Sequence, residues 1–528
     1  MRPLIAVLVA LLLNPGARAQ ERTNQELWLY YPTNLLVAEN VDKLEQIWGR
    51  AAKAGYTHVL IADSKFSRLS EMDKRYFDNV ERTKQIAKAN NLTLVPALFS
   101  VGYSNDFLSM DPNLAEGLPV NDSLFVVGED GTAAIQADPP VKLEKIAFKD
   151  DPITLDGKNA VFAPSKDNTR LCYTVPVKPF RCYHISVKVK TEGYTARPEV
   201  KVLAGDHSLQ WQYLPVKPTQ DWNEHHVVFN SLDHDNVNVY FGIWGGALGK
   251  LELSDWNIEE VGLLNVLRRP GAPLVVKDEN SGKALTEGTD FEPVADPKMG
   301  NQPYAGEYEV WHESPTIKTK LPAGTRLRVS WYHPAIIHEG QGGCCPADPK
   351  TTQLLADQAK RMKATWGTDA YMMSHDEIRT LGWDASCQST GKTPGEILAD
   401  NVKQCVELLK PHRTYVWNDM FDPHHNAVKG PYYLVNGDLT GSWVGLSKDT
   451  VIMNWNEGGR DKSLQFFADR GHRQVIATYY DDPSLESTKR WLATAKDHPS
   501  VDGFMYTTWQ NNYEHIEAFA SACKARPR

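Results

Sequence analysis

The sequence predicts an α/β protein, a (β/α)8 barrel interrupted by an inserted antiparallel β-sandwich of jelly-roll type. Three observations predict it. Short apolar runs alternate with amphipathic helical runs near both ends of the chain. Between about 106 and 325 the helical period disappears and short alternating strands replace it. Three strands precede that interruption and five follow it, which makes the eight of a closed barrel.

The elements follow in order. "LWLYYP" leads into the helical "VDKLEQIWGRAAKAG"; "HVLIADSKF" leads into "NVERTKQIAKANN"; "LTLVPALFS" is the third strand. This βαβαβ order implies parallel strands with helices outside. The interruption holds "YHISVKVKT", "EVKVLAG", "HHVVFN" and "NVNVYFGIW", separated by turn residues as in a sandwich. A smaller β-rich piece includes "APLVVKD" and "PTIKTKLPAGT". The α/β order then resumes. "TQLLADQAKRMKATWG" is a helix opened by Asp348-Pro349, and "TPGEILADNVKQCVELLK" is one with Thr393 as N-cap, Pro394 at its first position and Glu396 closing a capping box. "AYMMSHDE", "TYVWNDMF", "TVIMNWN", "QVIATYYDD" and "GFMYTTWQ" are the remaining strands. "RLRVSWYHP" (326–334) is a ninth strand, assigned to the end of the inserted β region, with membership of the barrel wall as the alternative. The expected division is a signal peptide at 1–19, the first barrel part at 20–105, the sandwich at 106–262, a small β-rich segment at 263–325 and the second barrel part at 326–528.

A chain of 528 residues exceeds one ordinary core. Its 41% hydrophobic and 23% charged residues are those of a globular protein. A net charge of -9 offers no attraction to nucleic acid or an anionic membrane. Arg2, the apolar Leu4 to Leu13 and the small-x-small Ala17-Arg18-Ala19 read as a secretory signal, so export or a periplasmic location is expected. No later segment is apolar for long enough to span a bilayer. Export permits disulfides, and Cys172 and Cys182, ten apart on two strands, are a candidate pair. Seven cysteines leave at least one over. No CxxC pair points to zinc, and no cofactor is expected.

In such a barrel the C-terminal strand ends face the active site. Read in order, they offer Tyr30, Tyr31 and Asn34; Asp63 and Lys65; Tyr103 and Asn105; His375, Asp376 and Glu377; Trp417, Asn418 and Asp419; Trp455 and Asn456; Tyr479, Tyr480, Asp481 and Asp482; Trp509, Gln510 and Asn511. Carboxylates among indoles and phenols suit a sugar, whose C–H face lies on an aromatic ring while its hydroxyls take hydrogen bonds. Glycosidic cleavage needs an acid for the leaving oxygen and an anionic or nucleophilic group at the oxocarbenium-like centre. Asp376 and Glu377 are the catalytic candidates. Adjacent strand residues point to opposite faces, so both reach one ligand only if the strand ends or bulges there. His375, Arg379, Trp417, Asp419, Trp455, Tyr479, Tyr480, Trp509 and Asp63 are the substrate-binding candidates. Ordinary roles compete with these: Arg379 can simply pair with Glu377, the tryptophans can be packing, and one of Tyr479 and Tyr480 must face away. Asp481-Asp482 before Pro483 reads better as a helix cap than as a nucleophile. His424 and His425, with His375 and Asp422, invite a metal reading, but no HxH or HExxH accompanies them.

"HDE" at the fourth strand, "YVWNDM" at the fifth, "MNWN" at the sixth, "ATYYDD" at the seventh and "GFMYTTWQ" at the eighth resemble the family-20 β-N-acetylhexosaminidases and related barrel glycosidases, over roughly 365–515 and more loosely 26–105. The resemblance implies Glu377 as general acid/base and Asp376 as the group that orients the substrate's 2-acetamido group. That acetamide is then the nucleophile. Tyr479 or Tyr480 matches the tyrosine that holds the acetamide oxygen, and Trp417, Trp455 and Trp509 match the aromatic walls. The chain departs from the family at Met373, Ser374 and His375, where small residues are usual, and lacks a first-strand arginine in "LWLYYPTN". The insert looks like a carbohydrate-binding jelly roll, with Trp211, Tyr213, Trp222 and Trp244 as a platform or as packing. The expected function is therefore a secreted exo-β-N-acetylhexosaminidase acting with retention on a glycan or glycoconjugate ending in N-acetylhexosamine. One alternative is a retaining glycosidase with an Asp481 or Asp482 nucleophile. The other is a non-catalytic glycan-binding protein.

Overall fold

In the computed structural model, eight parallel strands close into a barrel. They are β1 (Glu26–Pro32), β2 (His58–Ala62), β3 (Thr93–Leu98), β4 (Ala370–Met373), β5 (Arg413–Trp417), β6 (Val451–Asn454), β7 (Gln474–Tyr479) and β8 (Val501–Thr507). The structure describes residues 25–143, 145–146, 151–156, 159–301, 304–336 and 340–525. The expected signal peptide lies outside them. Among the described residues no helix is long and apolar enough to cross a membrane.

Strand alternation splits the barrel residues between two cores. Trp28, Leu60, Val95, Met372, Tyr415, Met453, Val475, Ala477 and Met505 fill the barrel interior. Their neighbours Leu29, Val59, Ile61, Met373, Val416, Ile452, Ile476 and Phe504 point outward against the surrounding helices. Continuous apolar runs are what a strand buried on both faces requires.

The helices Ala38–Ala54, Lys74–Ala89, Pro349–Trp366, Pro394–Leu409, Arg460–Asp469, Glu486–Ala495 and Ile516–Lys524 surround the barrel. Between β5 and β6 the described chain forms no α-helix, but two short 3-10 turns and the two-residue strand Leu434–Val435. One of the turns, Ser442–Gly445, lies against the Pro394–Leu409 helix, and a Cβ on Gly445 would stand 2.0 Å from the Ala399 carbonyl oxygen. Glycine thus lets the turn take the place of an outer helix.

The insert contains three sheets. Two five-stranded sheets form the sandwich between Lys145 and Glu260, around a core that includes Ile185, Val189, Val202, Val239 and Leu253. The third sheet has six strands drawn from 117–135 and 275–334. The stretch 117–135, expected in the sandwich, therefore belongs to this third sheet. So does Arg326–Pro334, which runs antiparallel to Gly117–Val127 and is no part of the barrel wall. Cys172 and Cys182, the candidate pair, are both buried free thiols.

The capping box at Pro394–Leu409 is complete: Thr393 Oγ1 accepts the Glu396 N–H, and the Glu396 carboxylate accepts the Thr393 N–H. Thr393→Ala should lower stability by about 1 kcal/mol. Urea unfolding checks this: the midpoint falls at unchanged slope, while Thr393→Ser stays near wild type.

Candidate active site

The C-terminal ends of the barrel strands surround a cavity of about 800 Å³. Tyr30, Phe66, Tyr103, Trp417, Trp455, Tyr480 and Trp509 supply its aromatic lining, and Asp63, Asp106, Glu307, Asp376 and Glu377 its carboxyl groups. Glu307 and Gln341 come from the insert and its return to the barrel, so the insert walls one side of the mouth.

Alternation explains why β4 delivers one acid and not its neighbour. Met372 points inward, so Ser374 and Asp376 do too, and both line the cavity. His375 points outward. It is fully buried, its Nε2 lies 3.0 Å from Asn401 Oδ1, and burial lowers its pKa to about 4. His375 is thus a packing residue, not the substrate ligand expected. Glu377 would also face outward, but its φ of 48° is left-handed and turns its side chain into the cavity. The turn is held from below: the Glu377 N–H donates to Asp419 Oδ2 at 2.8 Å, and Asn426 Nδ2 donates to the same oxygen at 3.1 Å.

Asp419 therefore positions Glu377 from behind the cavity wall rather than touching a ligand. It is fully buried, and that burial, with the Asp376 charge second, holds its carboxyl well above the usual range. Asp376 is pushed up to about 6, by burial first and also by the Glu377 charge. Glu377 is differently placed. Arg379 Nη2 sits 2.8 Å from its Oε2, and the Tyr103 hydroxyl donates to the same oxygen. Arg379 also donates to the Tyr103 hydroxyl at 2.9 Å and lies over the Tyr103 ring. The expected ligand role of Arg379 is replaced by this contact, since Arg379 is not among the lining residues. Glu377 itself is open to the cavity, its side chain 31% exposed.

At β7 the alternation breaks. Tyr479, Tyr480 and Asp481 are all left-handed, with φ of 85°, 45° and 59°. Tyr479 turns outward and stacks on Tyr506 at 4.0 Å, while Tyr480 enters the cavity. Tyr479 is thus corrected to a packing residue. Trp417 and Trp455 line the cavity, and Trp509, 59% exposed, stands at its rim edge-on to Tyr30 at 5.4 Å. Asp63 lines the cavity too, but its carboxylate is occupied by the Leu35 and Lys65 N–H groups at 2.9 and 3.0 Å.

Asp481 and Asp482 are not placed to act as a nucleophile. Asp481 Oδ2 accepts the N–H of Trp509 at 2.8 Å and Oδ1 the Thr508 hydroxyl, which fixes the loop after β8. Asp482 accepts the N–H of Ser484 at 3.0 Å and of Ser487 at 3.2 Å, a capping role. Neither lines the cavity. The histidines do not converge either: His425 lies against the Trp455 ring, and Asp422 is taken up by Asn418 and the His424 N–H. In the sandwich, Trp211, Tyr213 and Trp244 share a face with Lys201 and Arg197, while Trp222 belongs to the other sheet.

Sequence reading missed Asp106, Glu307 and Gln341. Asp106 lies in the short helix Asn105–Leu108 after β3, accepts the Ser100 hydroxyl at 2.7 Å and is pushed up to about 6 by burial. Its position just past a strand end was a usable signal; nothing marked Glu307 or Gln341.

No protein-family model matches the chain, and no curated protein does. Among solved structures, the chain is similar to the β-N-acetylhexosaminidase from Bacteroides fragilis NCTC 9343 at 8% identity and a TM-score of 0.40, covering 94% of this chain and 65% of that one. It is similar to the tandem GH20 catalytic modules of the pneumococcal exo-β-D-N-acetylglucosaminidase StrH at 8% identity and a TM-score of 0.35, covering 94% and 83%. A rhamnosidase from Novosphingobium sp. PP1Y follows at 11% identity and a TM-score of 0.31, covering 92% and 55%. Likeness at this level carries no inference of activity, which rests on the cavity alone.

Two predictions come from this geometry. A Cβ on Gly102 would lie 1.9 Å from the Asp376 carbonyl oxygen, so Gly102→Ala must displace the Asp376 peptide. Circular dichroism should show the fold retained while ligand affinity or turnover falls at least about tenfold, the scale of a misplaced reacting group. The second concerns pH. Asp376 has a raised folded-state pKa, so the folded protein holds the extra proton and stability falls as pH rises from about 4 through about 6. Asp376→Asn should melt higher than wild type at pH 8 and lose that advantage as pH falls through this window.

Proposed function

We propose that this protein is a glycoside hydrolase, an exo-β-N-acetylhexosaminidase that works with retention through the substrate's own acetamide. One observation carries the reading: a single cavity brings Asp376, Glu377, Tyr480, Trp417, Trp455 and Trp509 together at the strand ends. The indoles offer faces to the C–H side of a pyranose, and the carboxylates and phenol offer hydrogen bonds to its polar substituents. Asp376, ionised above its raised pKa, accepts the acetamide N–H and orients the carbonyl oxygen toward the anomeric carbon. Tyr480 supports that group from β7. Glu377, at the more open position, gives the leaving oxygen its proton and then takes one from water. Arg379 and Tyr103, both on Oε2, fix the Glu377 side chain.

A second reading has its own support. Asp376 is the carboxyl pushed up to about 6, whereas Glu377 is the one with an arginine nitrogen 2.8 Å from its Oε2. In that reading the two exchange roles, with Asp376 as the proton donor.

Leaving-group dependence separates the two. Glu377→Gln should cut turnover of alkyl N-acetylhexosaminides by about 10²–10⁴, the usual worth of a general acid. It should cut turnover of nitrophenyl glycosides, which need little protonation, much less. Asp376→Asn should lower both alike. If Asp376→Asn shows the leaving-group dependence instead, the roles are exchanged. Unchanged turnover in Glu377→Gln sinks the first assignment. Saturable binding of aminosugar glycans with no hydrolysis across gluco and galacto substrates sinks the enzyme.

A further inference from the structure

Away from the cavity, three chain segments bring acidic and thiol side chains to one buried point. Glu116 begins the insert and Cys345 lies where the chain returns to the barrel. Asp384 and Cys387 flank the first turn of the short helix Ala385–Ser389, in the loop that continues from Glu377. All four are at most 1% exposed, and their candidate ligand atoms lie within 4.8 Å of one another. The sulfurs are 3.6 Å apart; Cys345 Sγ is 3.4 Å from Asp384 Oδ1, and Cys387 Sγ is 3.2 Å from Glu116 Oε2.

We propose that Glu116, Cys345, Asp384 and Cys387 form a closed structural site for a four-coordinate divalent metal ion of the zinc class. The distances suit it. Tetrahedral zinc, with Zn–S near 2.3 Å and Zn–O near 2.0–2.2 Å, has S···S edges of about 3.8 Å and S···O edges of about 3.5 Å. A disulfide requires sulfurs about 2.0 Å apart. The carboxylates are arranged as ligands usually are, with one oxygen anchored and the other presented. Glu116 Oε1 accepts the N–H of Trp383 at 2.8 Å while Oε2 faces Cys387. Asp384 Oδ2 is held by Arg269, while Oδ1, which also accepts the Cys387 N–H at 3.0 Å, faces Cys345. Arg269 pairs with Asp384 and Asp348, which leaves the buried Glu116 carboxyl and the two thiols beside it with no cationic partner among the described residues. On binding, each thiol gives its proton to solvent and the thiolates and carboxylates take the metal. The ion would tie both ends of the insert to the loop that carries Asp376 and Glu377.

The test is metal analysis of the purified full-length chain, produced with zinc in the medium and handled without chelator. The expected result is about one zinc per chain by elemental mass spectrometry. Cys345 and Cys387 should resist alkylation until a strong chelator is added, and cobalt substitution should give a thiolate-to-metal absorption band. Cys387→Ser should lose metal at least tenfold. If that variant does not fold, the stoichiometry and thiol protection of the unmutated chain still decide. A metal-free chain, or a peptide map showing Cys345 joined to Cys387, overturns the proposal.

Discussion

The hydrogen bond from the Glu377 N–H to Asp419 is the constraint on which the site turns. Two neighbouring side chains cannot both enter a cavity from a regular strand. β4 ends at Met373, and the left-handed residue at 377 turns the second acid into the opening. For a residue with a Cβ, that conformation costs about 1–2 kcal/mol. A hydrogen bond from N–H to a carboxylate is strong enough to hold it. The adjoining loop complies as well, because Gly102 is the residue that fits beneath the Asp376 carbonyl. The cluster after β4 is thus built from three chain segments, and changing one moves the others.

Most of the barrel was legible in the sequence because its signal repeats. Each strand is an apolar run bounded by polar residues, and each helix has its own period or cap, as at Asp348 and Thr393. The site was legible to the extent that alternation holds. Inward positions gave Asp376 and Trp417, and the same rule places His375 outside. The rule failed where left-handed residues interrupt it. At 479–481 three in succession exchange the faces of Tyr479 and Tyr480, and no residue there is a glycine that would mark the break.

Contacts between distant segments left no local trace. Glu307 reaches the cavity from the insert, and the barrel wall stays an alternative for Arg326–Pro334 until its partner Gly117–Val127, far earlier in the chain, is known. The same holds for the buried Glu116, Cys345, Asp384 and Cys387 group. A search for CxxC pairs looks for ligands supplied locally, whereas here three separate segments supply them. The missing helix between β5 and β6 belongs to this class too, since the turn that replaces it depends on Gly445 meeting a helix formed earlier in the chain.

The electrostatics of the cavity limit what can bind there. Its charged lining consists of carboxyl groups; among the described residues no lysine or arginine lines it, and Arg379 stands behind the wall against Glu377. An anionic sugar entering such a space would lose water and gain repulsion, whereas a neutral sugar gains hydrogen bonds to acceptors already in place. The same crowding keeps protons bound: burial raises Asp376 and Asp419, and the neighbouring carboxylates raise both further. A site that discourages anions, stores protons and presents indole faces is suited to protonating a neutral ligand held flat against an aromatic wall. The acetamido sugar proposed as substrate would meet each of those conditions, and the requirement comes from the arrangement of charges and not from which of Asp376 and Glu377 is the donor.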